Sequence, residues 1–211
     1  FHPRRKPRLA RLGDWMAANR RLLLGAQWVI VLAYAVLLVV PAILPVPPLG
    51  ATLLDNLTLF AQFAFWGIWW PFVILSIMLM GRVWCGVLCP EGALAEFASR
   101  HGRGGHIPKW LRWGGWPFLA FVLTTLYGQL VSVYEYPQAA LLILGGSTVA
   151  AVAVGWLYGR GKRVWCRYLC PVSGVFALLA RIAPVHFRID RKQWDSHAAR
   201  TAAVDCAPLL D

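Results

Sequence analysis

The hydrophobic pattern of the chain is set by where charge is missing. Four long windows contain no Asp, Glu, Lys or Arg: Leu22–Leu54, Asn56–Gly81, Trp113–Tyr134 and Tyr136–Gly159. Each exceeds the roughly 18 apolar-leaning residues that suggest a membrane span. The windows predict helices over residues 22–40, 58–80, 116–134 and 138–158. The first would be about 28 Å long at 1.5 Å per residue, close to the hydrocarbon thickness. Pro41, Pro45, Pro47 and Pro48 should stop it, because proline cannot donate the helical hydrogen bond. Pro71 should kink the second span. Trp113, Trp116, Tyr134, Tyr136, Trp156 and Tyr158 stand near predicted span ends, where interfacial aromatics collect.

Composition agrees with the pattern. Of 211 residues, 59% are hydrophobic and 14% charged, and the mean hydropathy is +0.56. A soluble domain carries about 25% charged residues. A soluble enzyme, a disordered tail and a secreted disulfide scaffold are all excluded. The fold class expected is an all-α membrane protein with four transmembrane helices.

Placement of the basic residues orients it. Lys plus Arg is 21 against 9 Asp plus Glu, for a formal charge of +12. Seven basic residues precede the first span, five (Arg82, Arg100, Arg103, Lys109, Arg112) lie between the second and third, and nine follow the fourth. The other two connections carry only Asp55 and Glu135. The positive-inside rule then puts both termini and the middle loop in the cytoplasm. The location expected is a bacterial cytoplasmic (inner) membrane. The basic residues read as retention signals and partners of the lipid bilayer, with no nucleic acid implied. The first span is too long for a cleavable signal peptide.

A repeat carries the chemistry. Arg82-Val83-Trp84-Cys85-Gly86-Val87-Leu88-Cys89-Pro90 and Arg163-Val164-Trp165-Cys166-Arg167-Tyr168-Leu169-Cys170-Pro171 match at seven of nine positions with an offset of 81, and Arg100 and Arg181 keep that offset. Each copy predicts two spans, a cytoplasmic C-x-x-x-C-P turn and a short apolar helix, near 90–100 and 171–182. The domains expected are a basic segment (1–21), a four-span membrane domain (22–185; repeats at about 22–100 and 113–182) and a polar tail (186–211). Two repeats of the same topology, related by an axis along the membrane normal, can bring the cysteine pairs face to face.

Residues i and i+4 of a helical turn are neighbours, so each pair can ligate one metal centre. Cys85, Cys89, Cys166 and Cys170 together supply the four ligands of a [4Fe–4S] or [2Fe–2S] cluster, and Pro after the last Cys belongs to the ferredoxin signature. Pro90 and Pro171 suit the first position of a helix. Cys89 and Cys170 would then be N-caps, where the helix dipole favours thiolate. Arg82, Arg163 and Arg167 can offset cluster charge. Four cysteines also suit zinc, though zinc ribbons mostly use tighter C-x-x-C knuckles. Thiol redox and plain packing are further readings, and a cytoplasmic position disfavours disulfides.

At these residues the chain resembles the NapH- and NosR-type polyferredoxin membrane proteins, over roughly residues 20–185. The resemblance implies that Cys85, Cys89, Cys166 and Cys170 hold an iron–sulfur cluster. It also implies an electron-transfer component rather than a self-contained catalyst, passing electrons between the quinol pool and membrane or soluble redox partner proteins in a respiratory chain. Quinol is then a candidate donor. A metal-handling or oxidase-assembly factor of the cupric-reductase CcoG kind shares one such motif, and a zinc-holding scaffold is a third class. Many relatives continue into a ferredoxin module. Residues 182–211 hold only Cys206, so the expectation is a short relative or a piece of a longer chain, with Asp190–Asp211 suited to a linker.

Other polar groups read mainly as structure. Cys206 is a bystander in a polar tail. His101 and His106 flank a glycine-rich loop, and His186 and His197 are similarly solvated. Gln62, Gln129 and Tyr127 read as interhelical contacts, with a quinol site near Gln129 and Tyr127 as the minor reading. Trp66, Trp69 and Trp70 read as packing. Trp84 and Trp165, each just before a cysteine, either shield a cluster or anchor the motif.

Overall fold

A computed structural model describes residues 15–184 except Ala17, Val46, Leu49, Gly161 and Lys162. The basic segment before Trp15 and the tail after Pro184, with Cys206, His186 and His197, lie outside the described residues.

Every regular element among the described residues is helical. The long helices are α1 (Arg20–Ile43), α2 (Leu57–Met80), α5 (Trp116–Leu130) and α6 (Pro137–Tyr158). The short ones are α3 (Val83–Val87), α4 (Pro90–Arg100), α7 (Val164–Tyr168) and α8 (Ser173–Leu179). Three helices, α1, α2 and α6, are long and apolar enough to cross a membrane. Their outer faces stay apolar: Val29, Leu32, Leu75, Leu79 and Val149 are all more than half exposed, as side chains against acyl chains would be.

A helix stands in each of the four charge-free windows, with differences at the breaks. Pro41 lies inside α1, buried, and the helix runs on to Ile43. It ends where Leu44, preceding Pro45, turns extended at ψ 151°; a residue before proline is pushed out of the helical region. In α2 the disturbance ahead of Pro71 is a π turn over Phe63–Trp69, with the Trp70 N–H bonded to the Phe65 carbonyl. A wider turn relieves the crowding of a proline ring against the preceding turn. A second π turn, Leu141–Gly145, lies in α6.

The third span is the main departure. A helix is expected over residues 116–134, but α5 stops at Leu130 after 15 residues, about 22 Å of helix. Ser132 adopts φ +49°, its N–H bonds the Gln129 carbonyl, and the Val133 N–H bonds the Gly128 carbonyl. That pair of bonds is a Schellman termination. Val133 also packs on Gly128, the apolar contact that accompanies it.

The short helices are not appended beyond the spans; they run back beside them. Gly81, with φ +64°, lets the chain reverse at the end of α2. The Trp84 indole then meets the rings of Trp69 and Phe72, both at 5.5 Å between centroids. Those residues lie about 16 and 12 Å before the end of α2 at 1.5 Å per residue. In the second copy Phe176 of α8 packs against Trp70 of the same helix.

The two short helices exchange places. α4, which follows the first cysteine motif, packs on α6 and α1, whereas α8, which follows the second, packs on α2 and α5. Gly155 and Gly159 make the α4–α6 contact close. A Cβ on Gly155 would stand 2.5 Å from the Ala95 carbonyl oxygen, and one on Gly159 would stand 2.1 Å from Ser99 Cβ. Small residues four apart let helix backbones approach where burial of oil against oil gives little drive. Ala95 and Ala151 are fully buried there, beside Trp165.

Candidate metal centre

Local sequence sets the shape of each cysteine turn. Cys85 sits within α3, and Cys89 is the N-cap of α4 with Pro90 in its first turn. The second copy begins alike: Cys166 lies in α7, at the offset of 81 from Cys85. It then differs. The expected helix over 171–182 starts only at Ser173, so Cys170 is not its N-cap. The Ser173 N–H and hydroxyl both donate to the Cys170 carbonyl, at 3.1 and 2.9 Å. This tight turn replaces the helical bond from the Ala93 N–H to the Cys89 carbonyl in the first copy.

The four cysteines form two neighbouring sets. Cys85 and Cys89 pack with Trp84, Leu88 and Phe176, while Cys166 and Cys170 pack with Trp165, Leu169 and Ala95. The sets feel one another. Burial pushes the Cys89 thiol well up, and Cys166, Cys85 and Glu91 push it further, in that order. Cys170 is raised well by burial first, then by Glu91, Cys166 and Cys89. Cys85 is raised by burial, opposed by Arg82 and Arg163. Desolvation therefore outweighs the helix-dipole effect expected of Cys89.

This electrostatics limits the chemistry. A redox-active or nucleophilic thiol is favoured by a lowered pKa, and Cys85, Cys89 and Cys170 are raised. A metal centre replaces the thiol protons and removes the penalty of burying bare thiolates. Among the described residues, no three Cys, His, Asp or Glu side chains converge closely enough to hold a single ion. Four sulfurs around one zinc would stand about 3.8 Å apart, from a Zn–S distance of about 2.3 Å. In an iron–sulfur cluster the thiolates are distributed over different irons, so their sulfurs stand wider. Four cysteines are a donor set that an iron–sulfur cluster accepts.

Three polar residues at this centre have differing visibility in sequence. Arg163, a predicted charge compensator, is buried. Its Nε and Nη2 donate to Glu96 Oε2 at 3.0 and 2.6 Å, its Nη2 to the Gly86 carbonyl at 3.0 Å, and its Nη1 to the Cys85 carbonyl. Glu96, also buried, is paired as well with Arg100. Glu91, two residues after Cys89, is bonded to Ser147, Trp165 and Thr148, and burial raises its carboxyl. Sequence reasoning misses the two glutamates. Their signal is present: two of only nine acidic residues fall within one short apolar helix. Arg167 instead lies exposed over Tyr168.

Other candidates fall outside the site. His101 bonds the Phe97 carbonyl on the exposed end of α4. Gln62 donates to the Glu135 carbonyl. Gln129 and Tyr127 are exposed and do not line the large apolar cavity. That cavity, of about 610 Å³, opens between α1 and α6 and is walled by Tyr34, Leu38, Leu94, Gln138, Leu142 and Thr148, among others. Tyr34 Oη lies 3.0 Å from Thr148 Oγ1.

Residues 62–114 and 141–190 each match the family described as 4Fe-4S binding domain. Each matched segment carries one cysteine pair, so the resemblance to polyferredoxin-like membrane proteins holds. Among curated proteins, the chain is similar to the regulatory protein NosR of Pseudomonas aeruginosa, 32% identical over 131 residues, covering 53% of this chain and 18% of that protein. It is 29% identical over 136 residues to the protein NirI of Paracoccus denitrificans (54% and 19%). It is 22% identical over 140 residues to the putative electron transport protein YccM of Escherichia coli (56% and 39%). The matched region thus spans about a fifth of the length of NosR and NirI. No solved structure matches the chain.

Proposed function

We propose that this chain is a membrane electron carrier in which Cys85, Cys89, Cys166 and Cys170 hold one iron–sulfur cluster, and that it relays electrons between quinol and a partner redox protein. The observation that carries the reading is that two 4Fe-4S-type segments, one holding Cys85 and Cys89 and the other Cys166 and Cys170, are joined at their cysteine motifs, where Arg163 of the second donates to the Cys85 and Gly86 carbonyls of the first. The cluster would supply one-electron redox chemistry. The chain supplies four sulfur ligands, the aromatic cover of Trp84 and Trp165, and the compensating charge of Arg82 and Arg163.

The membrane arrangement belongs to the same proposal. α5 is the third span in chain order, short by itself and extended by the Val131–Tyr136 turn. Both repeats run in the same direction, and the motif-bearing ends, both termini and the basic middle loop face the cytoplasm of a bacterial inner membrane. The distribution of basic residues supports this orientation. The partition into a basic segment (1–21), a membrane domain (22–185) and a tail (186–211) follows from it.

Quinol as donor is supported by the cavity between α1 and α6. It is lined almost entirely by apolar side chains of two membrane-length helices. Its wall carries the Tyr34 and Thr148 hydroxyls, which can bind a polar ring substituent. Thr148 also reaches Glu91, two residues from Cys89.

The test is direct. The full chain, purified anaerobically in detergent, should contain iron and acid-labile sulfide, with an absorbance and EPR spectrum that changes on reduction. Zinc alone, or intact thiols without metal, would overturn the reading. A short-chain quinol should reduce the centre; a Tyr34→Leu variant should retain the iron and slow that reduction.

A further inference from the structure

The two cysteine motifs are each led by an arginine, and each arginine crosses to the other repeat. Arg163 stands against Gly92: a Cβ there would be 3.1 Å from its Nη1. Arg82 donates from Nη2 to the Ser173 carbonyl at 3.3 Å. Arg82 and Arg163 are 81 residues apart, and so are Gly92 and Ser173. The contact is therefore reciprocal, each arginine meeting the same position on the opposite short helix.

The reciprocity is not complete. Arg163 continues past Gly92 to the carbonyls of Cys85 and Gly86 and to the Glu96 carboxylate. The position 81 residues after Glu96 is Ala177, so α8 offers no carboxylate there. The Arg163 side chain is only 3% exposed. A guanidinium is a planar fork of five donors that can serve a carboxylate and neighbouring carbonyls at once, which a lysine ammonium cannot reproduce. The Cys85 and Gly86 carbonyls belong to the first cysteine turn, and Arg163 is the meeting point of that turn, α4 and the second motif.

We propose that Arg163 is a positioning residue: by tying the Cys85–Gly86 backbone and Glu96 to the second repeat, it fixes the separation and register of the two cysteine pairs. The inference rests on the reading of the four cysteines as one ligand set and adds the device that holds them as one. The Glu96 carboxylate neutralises the buried guanidinium on one side, and Arg100 shares that carboxylate. Fixed charge and fixed backbone then come from the same group.

The experiment compares wild type, Arg163→Gln, Arg163→Lys and the surface control Arg181→Gln, each as the full chain in detergent. Iron and sulfide are measured first, with the midpoint potential of any reducible centre. Alkylation of each cysteine is then followed by mass spectrometry after chelation. Loss of charge-assisted bonds within a buried network should open the first cysteine turn and raise labelling of Cys85 and Cys89 at least about tenfold in Arg163→Gln. Arg163→Lys, which keeps the charge but not the fork, should show the same increase. The control should label as wild type. Where a cluster is present, Arg163→Gln should shift its midpoint to more negative values, because a cation near the electron is lost, and Arg163→Lys should shift it less. Labelling of Cys85 and Cys89 at the wild-type rate in both Arg163 variants would overturn the proposal, as would full rescue by lysine, which would leave charge alone as the role. If wild type holds no iron, the cluster reading fails on its own, and the labelling rates still decide whether Arg163 positions the turn.

Discussion

Gly155 of α6 passes so close to Ala95 of α4 that a Cβ on it would lie 2.5 Å from the Ala95 carbonyl oxygen. The obstacle is backbone, not a flexible side chain, so even one methyl group forces the two helices apart. Gly155→Ala should destabilise the chain by about 1–3 kcal/mol, the range for overpacking a well-packed contact. Val149→Ala, on the exposed face of the same helix, should change stability far less. Denaturant titration in detergent, read by far-UV circular dichroism, checks both. Equal midpoints for Gly155→Ala and wild type would contradict the closeness of the contact.

That contact also shows what the sequence could and could not reveal. The long helices were legible because a bilayer span demands about 20 residues free of charge, whereas a helix facing water on one side carries charge every turn or two. The duplicated cysteine motif was legible because identical residues recur at one offset. The return of α4 and α8 alongside the spans was not. It depends on Gly81 reversing the chain, on Gly155 and Gly159 opening a groove, and on Trp84 finding Trp69, all of which link residues distant in sequence. A Gly155-x-x-x-Gly159 spacing facing a helix rich in alanine was the available hint. Likewise Arg163 was visible as a nearby charge, but its partner Glu96 lies 67 residues away. The shortness of α5 was hidden because it turns on Ser132 accepting a conformation that serine rarely adopts.

Ser132 holds φ +49° at the end of α5. For a residue with a Cβ, the left-handed region costs roughly 1–2 kcal/mol, and glycine avoids the cost. Ser132→Gly should therefore stabilise the chain by about 0.5–1 kcal/mol, part of the gain being offset by the larger entropy of glycine in the unfolded chain. The bonds from residue 132 to Gln129 and from Val133 to Gly128 are made by the backbone and should survive. Ser132→Val, with a branched Cβ, should destabilise. Thermal unfolding followed in detergent should give the order glycine, serine, valine from most to least stable.

The raised thiols give a sign to the pH dependence of the metal-free chain. Burial lifts Cys85, Cys89 and Cys170 above the ordinary thiol range. The folded chain then keeps protons that the unfolded chain releases once the pH passes the ordinary value of about 8.5. Because the folded state binds more protons in that window, stability falls as pH rises through it, by at most about 1.4 kcal/mol per pH unit for each such thiol. Below about pH 8 these thiols are protonated in both states and contribute no slope. Unfolding midpoints of chelated protein between about pH 7 and 10 should decline above about pH 8.5, and replacing Cys89 with Ala should flatten the decline. A midpoint that rises over that interval would show that the thiols are not desolvated.

Whether the four cysteines serve one centre or two is decided by removing them singly. Cys85 and Cys89 belong to one matched segment, Cys166 and Cys170 to the other. Two independent two-cysteine sites would each survive loss of the other, so Cys85→Ser and Cys166→Ser would each retain about half the wild-type iron. A shared site behaves differently: each substitution removes one of four ligands from the same cluster, and hydroxyl oxygen is a poor replacement for thiolate around iron. We expect both single variants to lose most of the iron, the sulfide and the reducible EPR signal, and the double variant to lose no more than either alone. Cys206→Ser serves as the control and should keep the full signal. Iron near half in each single variant and near zero in the double would separate the two segments into independent sites.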